Sequence, residues 1–316
     1  MPPLTRSAAA RRAIFASADG RARSGSWGHT FPLVEAEEVR GALHRAEIRI
    51  VDATFNPFEP PERAAEAFDR AHLPGATYLA LDALRDGGCG LPNMLPTPGA
   101  FARHAGSLGI TQDDPIVLYD DSPFRTAARA WWMFRMFGVE NVWILDGGLR
   151  AWREGGHPLT SRATANPPAP FVPGPARAGL RSIDAVVTAL SLGTEQIVDA
   201  RSSDSFLGVD RDPQGLPGGH IEGSINLPFT ALLEASGRFL PADGLRLAFE
   251  DAGVDTARPI TATCGSGVTA AIVYVAAEIC GSPEPGLYDG SWSEWSRVNR
   301  PAGSRDARQG CGRRGV

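Results

Sequence analysis

The sequence predicts an α/β protein built from two copies of one domain, each a mainly parallel sheet flanked by helices on both faces. Three observations predict it. The chain says the same thing twice: "RIVDAT", "AHLPGATYLAL", "PIVLYDD" and "VWILDGGLRAW" in its first half return as "QIVDAR", "GHIEGSINLPF", "PITATCG" and "GLYDGSWSEW" in its second. Within each copy, short β-branched runs alternate with longer helical ones, as in "IVLYD" before residues 125–137 and "ITATC" before residues 268–279. Finally, those short runs are apolar throughout and lack the polar alternation of a strand with one wet face, as in a parallel sheet covered on both sides.

The repeat sets the elements in order. Asp52 pairs with Asp199, His72 with His220, Gly75 with Gly223, Asp146 with Asp289 and Trp152 with Trp295. The spacing agrees: 20 residues lead from Asp52 to His72 and 21 from Asp199 to His220. Residues 1–30 are basic and Ala/Ser-rich with Asp19 as their one acid, and read as a flexible extension; a transit peptide needs more than this composition. The first copy is expected over 31–157. Residues 158–180, rich in Pro and Ala, read as an extended linker over the surface. The second copy is expected over 181–302, and residues 303–316 as a flexible tail.

Composition narrows the function classes. With 43% hydrophobic and 21% charged residues and a formal charge of −5, the chain reads as a globular protein without the basic field of a nucleic-acid or membrane-surface binder. No window has the roughly 18 consecutive apolar residues of a membrane span. The four cysteines, Cys89, Cys264, Cys280 and Cys311, form neither a CxxC pair nor a Cys/His metal pattern. At this length a disulfide framework is not expected, and the chain reads as cytoplasmic.

The candidate site is the loop "TCGSGVTAA". Gly265, Gly267 and Ala270 match a G-x-G-x-x-G/A dinucleotide fingerprint, with Asp289 placed as a ribose acid. Too little chain remains beyond Asp289 to complete a nucleotide-binding sheet, and the first copy carries Asp120-Asp121-Ser122-Pro123 at the matching turn. A nucleophile elbow fails on the letters, because Cys264 stands where G-x-S-x-G needs glycine. What remains is a cysteine between a strand and the first turn of a helix. There backbone N–H groups converge and the helix dipole stabilises a thiolate or persulfide, with Gly265 and Gly267 letting the backbone curl around the sulfur. A buried, inert cysteine is the competing reading.

Taken together, "ATCGSGVTAA", "GHIEGSINLPF" and "LYDGSWSEW" resemble the rhodanese superfamily of sulfurtransferases, from about Phe31 to Pro301. The resemblance implies tandem rhodanese-like domains, an inactive first and a catalytic second, with Cys264 as nucleophile in the active-site loop Cys264, Gly265, Ser266, Gly267, Val268 and Thr269. It implies no cofactor and no metal. A loop of this composition, without basic residues after the cysteine, implies 3-mercaptopyruvate as the donor; thiosulfate is the alternative. Sulfur would pass through a Cys264 persulfide to cyanide or to a thiol acceptor such as thioredoxin, with no nucleic-acid or membrane partner.

Within that resemblance, Ser266 either donates a hydrogen bond to the substrate or caps the following helix, and Thr269 reads as structural. The family's two carboxylate-binding arginines reduce to Arg211, because Ser205 stands before Phe206 where the first is expected. Arg201 reads as the ion-pair partner of a nearby carboxylate. His72 is a possible proton shuttle, with a structural turn role favoured because His220 repeats it. Trp131 and Trp132 read as packing and Arg129 as a surface or interface ion pair. Asp120 holds the nucleophile's place in the first copy. Without an arginine in the loop, phosphatase chemistry is not expected; a noncatalytic binding module is the remaining rival.

Overall fold

The computed structural model describes residues 32–44, 48–175, 178–210 and 215–298. By their contacts these divide into two units, one containing residues 98–175 and the other residues 239–298.

In the first unit, strands β1 (Leu33–Val34), β2 (Arg49–Asp52), β3 (Ala76–Tyr78), β4 (Ile116–Tyr119) and β5 (Val142–Leu145) form one sheet in the order β1-β5-β4-β2-β3. Every pairing in it is parallel. The four residues of β4 and the four of β5 are all buried. Successive side chains on a strand face opposite ways, so unbroken burial means both faces are covered. The cover comes from helices α1 (Ala36–His44), α2 (Glu62–Arg70), α3 (Pro98–Ser107), α4 (Ala127–Met136) and α5 (Gly148–Glu154).

Strands β6 (Leu180–Arg181), β7 (Gln196–Asp199), β8 (Ile225–Asn226), β9 (Ile260–Thr263) and β10 (Gly286–Tyr288) form the second sheet, again all parallel, in the order β6-β10-β9-β7-β8. Replacing each number by its partner in the first unit gives the same permutation, so the repeated sequence has folded into a repeated topology. Helices α6 (Ile183–Leu192), α7 (Ser203–Leu207), α8 (Ala242–Asp251), α9 (Ala270–Cys280) and α10 (Ser291–Val298) accompany it.

The helices that follow the two central strands are the most deeply placed. All ten residues of α4 are buried, and nine of the eleven in α9. Trp131 and Trp132 are fully enclosed, and the Trp131 indole N–H donates to the Val142 carbonyl at 2.9 Å, anchoring the helix to β5. Arg129 is buried, which removes the surface half of the expectation, and its guanidinium lies 4.5 Å from the Trp132 ring centroid. An aromatic face offsets part of the cost of removing that cation from water.

Residues 161–175 run without regular structure along the first unit. Gly106 accepts a hydrogen bond from the Ala169 N–H and Phe137 one from the Gly174 N–H, both at 2.9 Å, while the buried Phe171 meets Phe101 edge-on at 5.3 Å. Two short segments cross the division by sequence: Asp82–Thr97 groups with the second unit and Ser236–Arg238 with the first. In the first unit, the Arg238 guanidinium pairs with Glu35 at 2.7 Å.

Candidate active site

The chain leaves β9 at Thr263, turns through residues 264–269 and enters α9 at Ala270. Cys264 is 2% exposed, and the Gly267 N–H points at its sulfur with nitrogen and Sγ 3.1 Å apart. Gly267 has a φ of 79°, a conformation that a Cβ makes costly. Gly265 is different: its φ is not positive, and a Cβ there would meet nothing within 4 Å. Of the two glycines expected to curl the loop, Gly267 alone is demanded by the backbone.

The start of α10 holds the loop from the other side. The Trp292 N–H donates to the Cys264 carbonyl at 3.0 Å. The Ser293 N–H and hydroxyl both donate to the Gly265 carbonyl, at 2.9 and 2.7 Å. The Trp292 and Ser293 N–H groups lie in the first turn of α10, where backbone amides have no acceptor within the helix. The Cys264 N–H in turn donates to Ser291 Oγ at 3.2 Å, and the Ser291 hydroxyl donates to the Tyr288 carbonyl at 2.8 Å. Ser291 has a φ of 52°, in the left-handed region, and the repeat places Gly148, with a φ of 59°, at the same point of the first copy. A serine is kept in a glycine's conformation where its oxygen receives the Cys264 amide, which is the kind of strain that gathers at functional sites.

The first unit supplies an internal comparison. The Leu149 N–H donates to the Asp120 carbonyl at 2.9 Å, matching Trp292 on Cys264. The Asp120 carboxylate then fills its own turn: Oδ1 accepts from the Ser122 N–H and Oδ2 from the Ala127 N–H, both at 2.8 Å. Where the second copy has a sulfur with an amide directed at it, the first has a covalently attached carboxylate satisfying the converging N–H groups. Burial pushes the Asp120 carboxyl up to about 6 despite these hydrogen bonds and nearby Arg125.

The other expected residues fall as follows. Ser266 Oγ accepts a hydrogen bond from Asn93 Nδ2 at 2.9 Å, and α9 has Thr269 at its N-cap without a side-chain capping bond, so neither hydroxyl caps the helix. Val268, in the loop, is buried. Arg211 lies outside the described residues. Arg201 forms the expected ion pair, with Nη2 2.6 Å from Asp199 Oδ2, and also donates to the Gly219 carbonyl at 2.9 Å. Ser205 belongs to the first turn of α7, where its N–H and hydroxyl engage Ser202.

His72 belongs to the first unit, where Nδ1 lies 2.7 Å from the Phe68 carbonyl and Nε2 3.2 Å from that of Arg162. Its ring stacks on Phe68 at 4.0 Å, as His220 stacks on Phe206 at 3.7 Å. A neutral imidazole can donate to one of these two carbonyls, and the stacking shared with its repeat counterpart favours the turn role. Burial pushes the Cys280 thiol up to about 11, which suits an inert cysteine.

The sequence reading missed Asn93, Ser291 and Ser293. Ser291 had a signal, since aligning the copies sets "DGG" against "DGS". Asn93, in "LPNMLP", has no counterpart motif.

Comparison with known proteins agrees with this geometry. The rhodanese-like domain family matches twice, over residues 35–155 and 182–298. Thiosulfate sulfurtransferase of Rattus norvegicus is 38% identical over 271 residues, 84% of this chain and 91% of that protein. The 3-mercaptopyruvate sulfurtransferase of Homo sapiens is 36% identical over 269 residues, with the same two coverages. The crystal structure of the 3-mercaptopyruvate sulfotransferase SseA from Escherichia coli superposes with a TM-score of 0.77 at 36% identity, covering 84% of this chain and all of that one. With both copies matched and relatives of this identity aligned over most of their length, the chain belongs to the rhodanese-like family.

Proposed function

We propose that this protein is a sulfurtransferase that moves sulfur from 3-mercaptopyruvate, through a persulfide on Cys264, to a thiol or to cyanide. The observation that carries it is the Cys264 loop, with the sulfur at a strand end and the Gly267 N–H directed at it. A persulfide carries negative charge on its outer sulfur, and a turn lined with N–H groups before a helix stabilises such a charge. In the first step the Cys264 thiolate attacks the donor's sulfur. An S–S bond forms, the C–S bond breaks, and its electron pair leaves on carbon as the enolate of pyruvate, which takes up a proton. In the second step an acceptor thiolate or cyanide attacks the outer sulfur, the S–S bond breaks, and the Cys264 thiolate is restored. A protein thiol such as thioredoxin is the proposed acceptor in the cell. The copy at 181–302 is proposed to carry this chemistry, Asp120 leaving the copy at 31–157 without a nucleophile.

The choice of donor rests on charge. Gly265, Ser266, Gly267, Val268 and Thr269 bring no cation beside the sulfur, whereas the thiosulfate dianion would gain from one. We assign the mercaptopyruvate carboxylate to Arg211. A second reading, thiosulfate as donor, is favoured by the 38% identity to the rat thiosulfate enzyme, slightly above the 36% to the human mercaptopyruvate enzyme. Thiocyanate release measured with each donor separates them. A higher kcat/KM is expected with mercaptopyruvate; a higher value with thiosulfate would select the second reading, and no product from either would reject both.

A further inference from the structure

We infer that Asn93 is a positioning residue for the Ser266 hydroxyl, fixing the direction in which Ser266 gives its proton. The inference rests on the sulfurtransferase reading above. Asn93 lies in the sequence of the first copy but in Asp82–Thr97, the segment that groups with the second unit. That segment is fixed on both sides of it. The Asp86 N–H donates to the Met94 carbonyl at 3.0 Å, Arg297 donates to the Gly90 carbonyl at 2.8 Å, and the Leu95 N–H donates to the Asp289 carboxylate. Asn93 itself has a φ of 55°, a conformation that asparagine tolerates better than most residues but that still costs free energy. The strained residue is the one whose side chain reaches the cysteine loop.

The direction of that hydrogen bond matters. An amide nitrogen has protons to give and no lone pair to offer, so with Asn93 Nδ2 at 2.9 Å Ser266 Oγ is the acceptor. The proton of Ser266 must then point elsewhere, and among the described residues no acceptor receives it. It is held for the sulfur donor, whose carbonyl oxygen becomes an enolate oxygen as the C–S bond breaks. A donor already aimed at the place where charge develops stabilises the transition state without reorganising. Asn93 touches neither sulfur nor donor in this account and acts through Ser266.

Steady-state kinetics with mercaptopyruvate and cyanide test this, because the two half-reactions report separate kcat/KM values. Asn93→Gly removes the amide and keeps the backbone conformation free of strain. It is expected to lower kcat/KM for mercaptopyruvate about 5- to 10-fold, the worth of one hydrogen bond, and to leave kcat/KM for cyanide unchanged. In a Ser266→Ala background it is expected to cause no further loss, since the interaction it serves is already gone. Asn93→Asp, which keeps the shape but only accepts, should draw the Ser266 proton to itself and fall below Asn93→Gly. Equal losses in both half-reactions, an undiminished effect in the Ser266→Ala background, or wild-type turnover in Asn93→Asp would each overturn the inference while leaving the proposed function intact. A wild-type protein that transfers no sulfur would overturn both.

Discussion

Gly265 and Gly267 flank Ser266 and look interchangeable in the sequence, yet they should respond unequally to alanine. At Gly267 the φ of 79° places any Cβ in the left-handed region, at a cost of about 1–2 kcal/mol. If the loop keeps its shape, the second unit loses that amount of unfolding free energy. If it relaxes toward negative φ, the Gly267 N–H swings off Cys264 Sγ and a hydrogen bond of about 1 kcal/mol is lost instead. Either route destabilises by a similar amount. At Gly265 a Cβ meets nothing within 4 Å and the backbone is unstrained, so the change should stay below about 0.5 kcal/mol. Urea unfolding followed by circular dichroism reads the difference. With a slope of about 2 kcal/mol/M, Gly267→Ala should lower the midpoint by about 0.5–1 M and Gly265→Ala hardly at all. Equal shifts in the two variants, or no shift in Gly267→Ala, would refute the assignment of the turn's strain to Gly267.

Three further outcomes are expected. Ser291→Ala leaves the buried Cys264 N–H without its acceptor, a loss of about 1–3 kcal/mol in urea unfolding, whereas Ser291→Gly should recover about 1 kcal/mol of it by relieving the φ of 52°; a glycine variant no better than alanine contradicts this. Asp120 binds its proton more tightly folded than unfolded, so its contribution is fully present below about pH 4 and lost as pH rises through about 6. The gap between the ordinary 3.8 and about 6, at about 1.4 kcal/mol per pH unit, amounts to about 3 kcal/mol. Asp120→Asn should therefore gain stability relative to the wild type between pH 4 and pH 7, and a pH-independent difference would count against it. Trp131→Ala should cost about 3–5 kcal/mol through the lost packing and the lost bond to Val142, measured by thermal unfolding; a loss under 1 kcal/mol would mean α4 is not the anchor described.

The parts of the fold legible in the sequence were those that repeat or that follow from period. Apolar runs such as "IVLY" and "QIVD" became parallel strands, and the recurrence of Asp, His and Trp landmarks became a shared strand order. The cysteine loop was legible too, because its small residues sit contiguously between a strand and a helix. Features that depend on distant segments meeting were not. Asn93 reaches Ser266 from 173 positions away, and nothing local marks it. Arg129 carries a charge, and charge argued for an ion pair at the surface or an interface; its burial over the Trp132 face depends on a tertiary contact that no local pattern marks. Ser291 was readable in principle, since the first copy has glycine there, but its meaning depended on knowing that the backbone is left-handed at both points.

Asp82–Thr97 lies in the first copy and packs with the second unit; Ser236–Arg238 does the converse. Exchange of equivalent segments is what two identical protomers do in a swapped dimer, and here it occurs between two copies carried on one chain. The boundary drawn by homology is therefore not the boundary along which the protein can be cut. A fragment beginning at residue 181 would hold Cys264 and its whole loop yet leave behind Asn93, the Leu95 amide that binds Asp289 and the Gly90 carbonyl that binds Arg297. The first copy is thus more than a repeat of the second: its residues 82–97 supply hydrogen bonds to the unit that holds Cys264, which ties the integrity of that unit to both copies being on one chain.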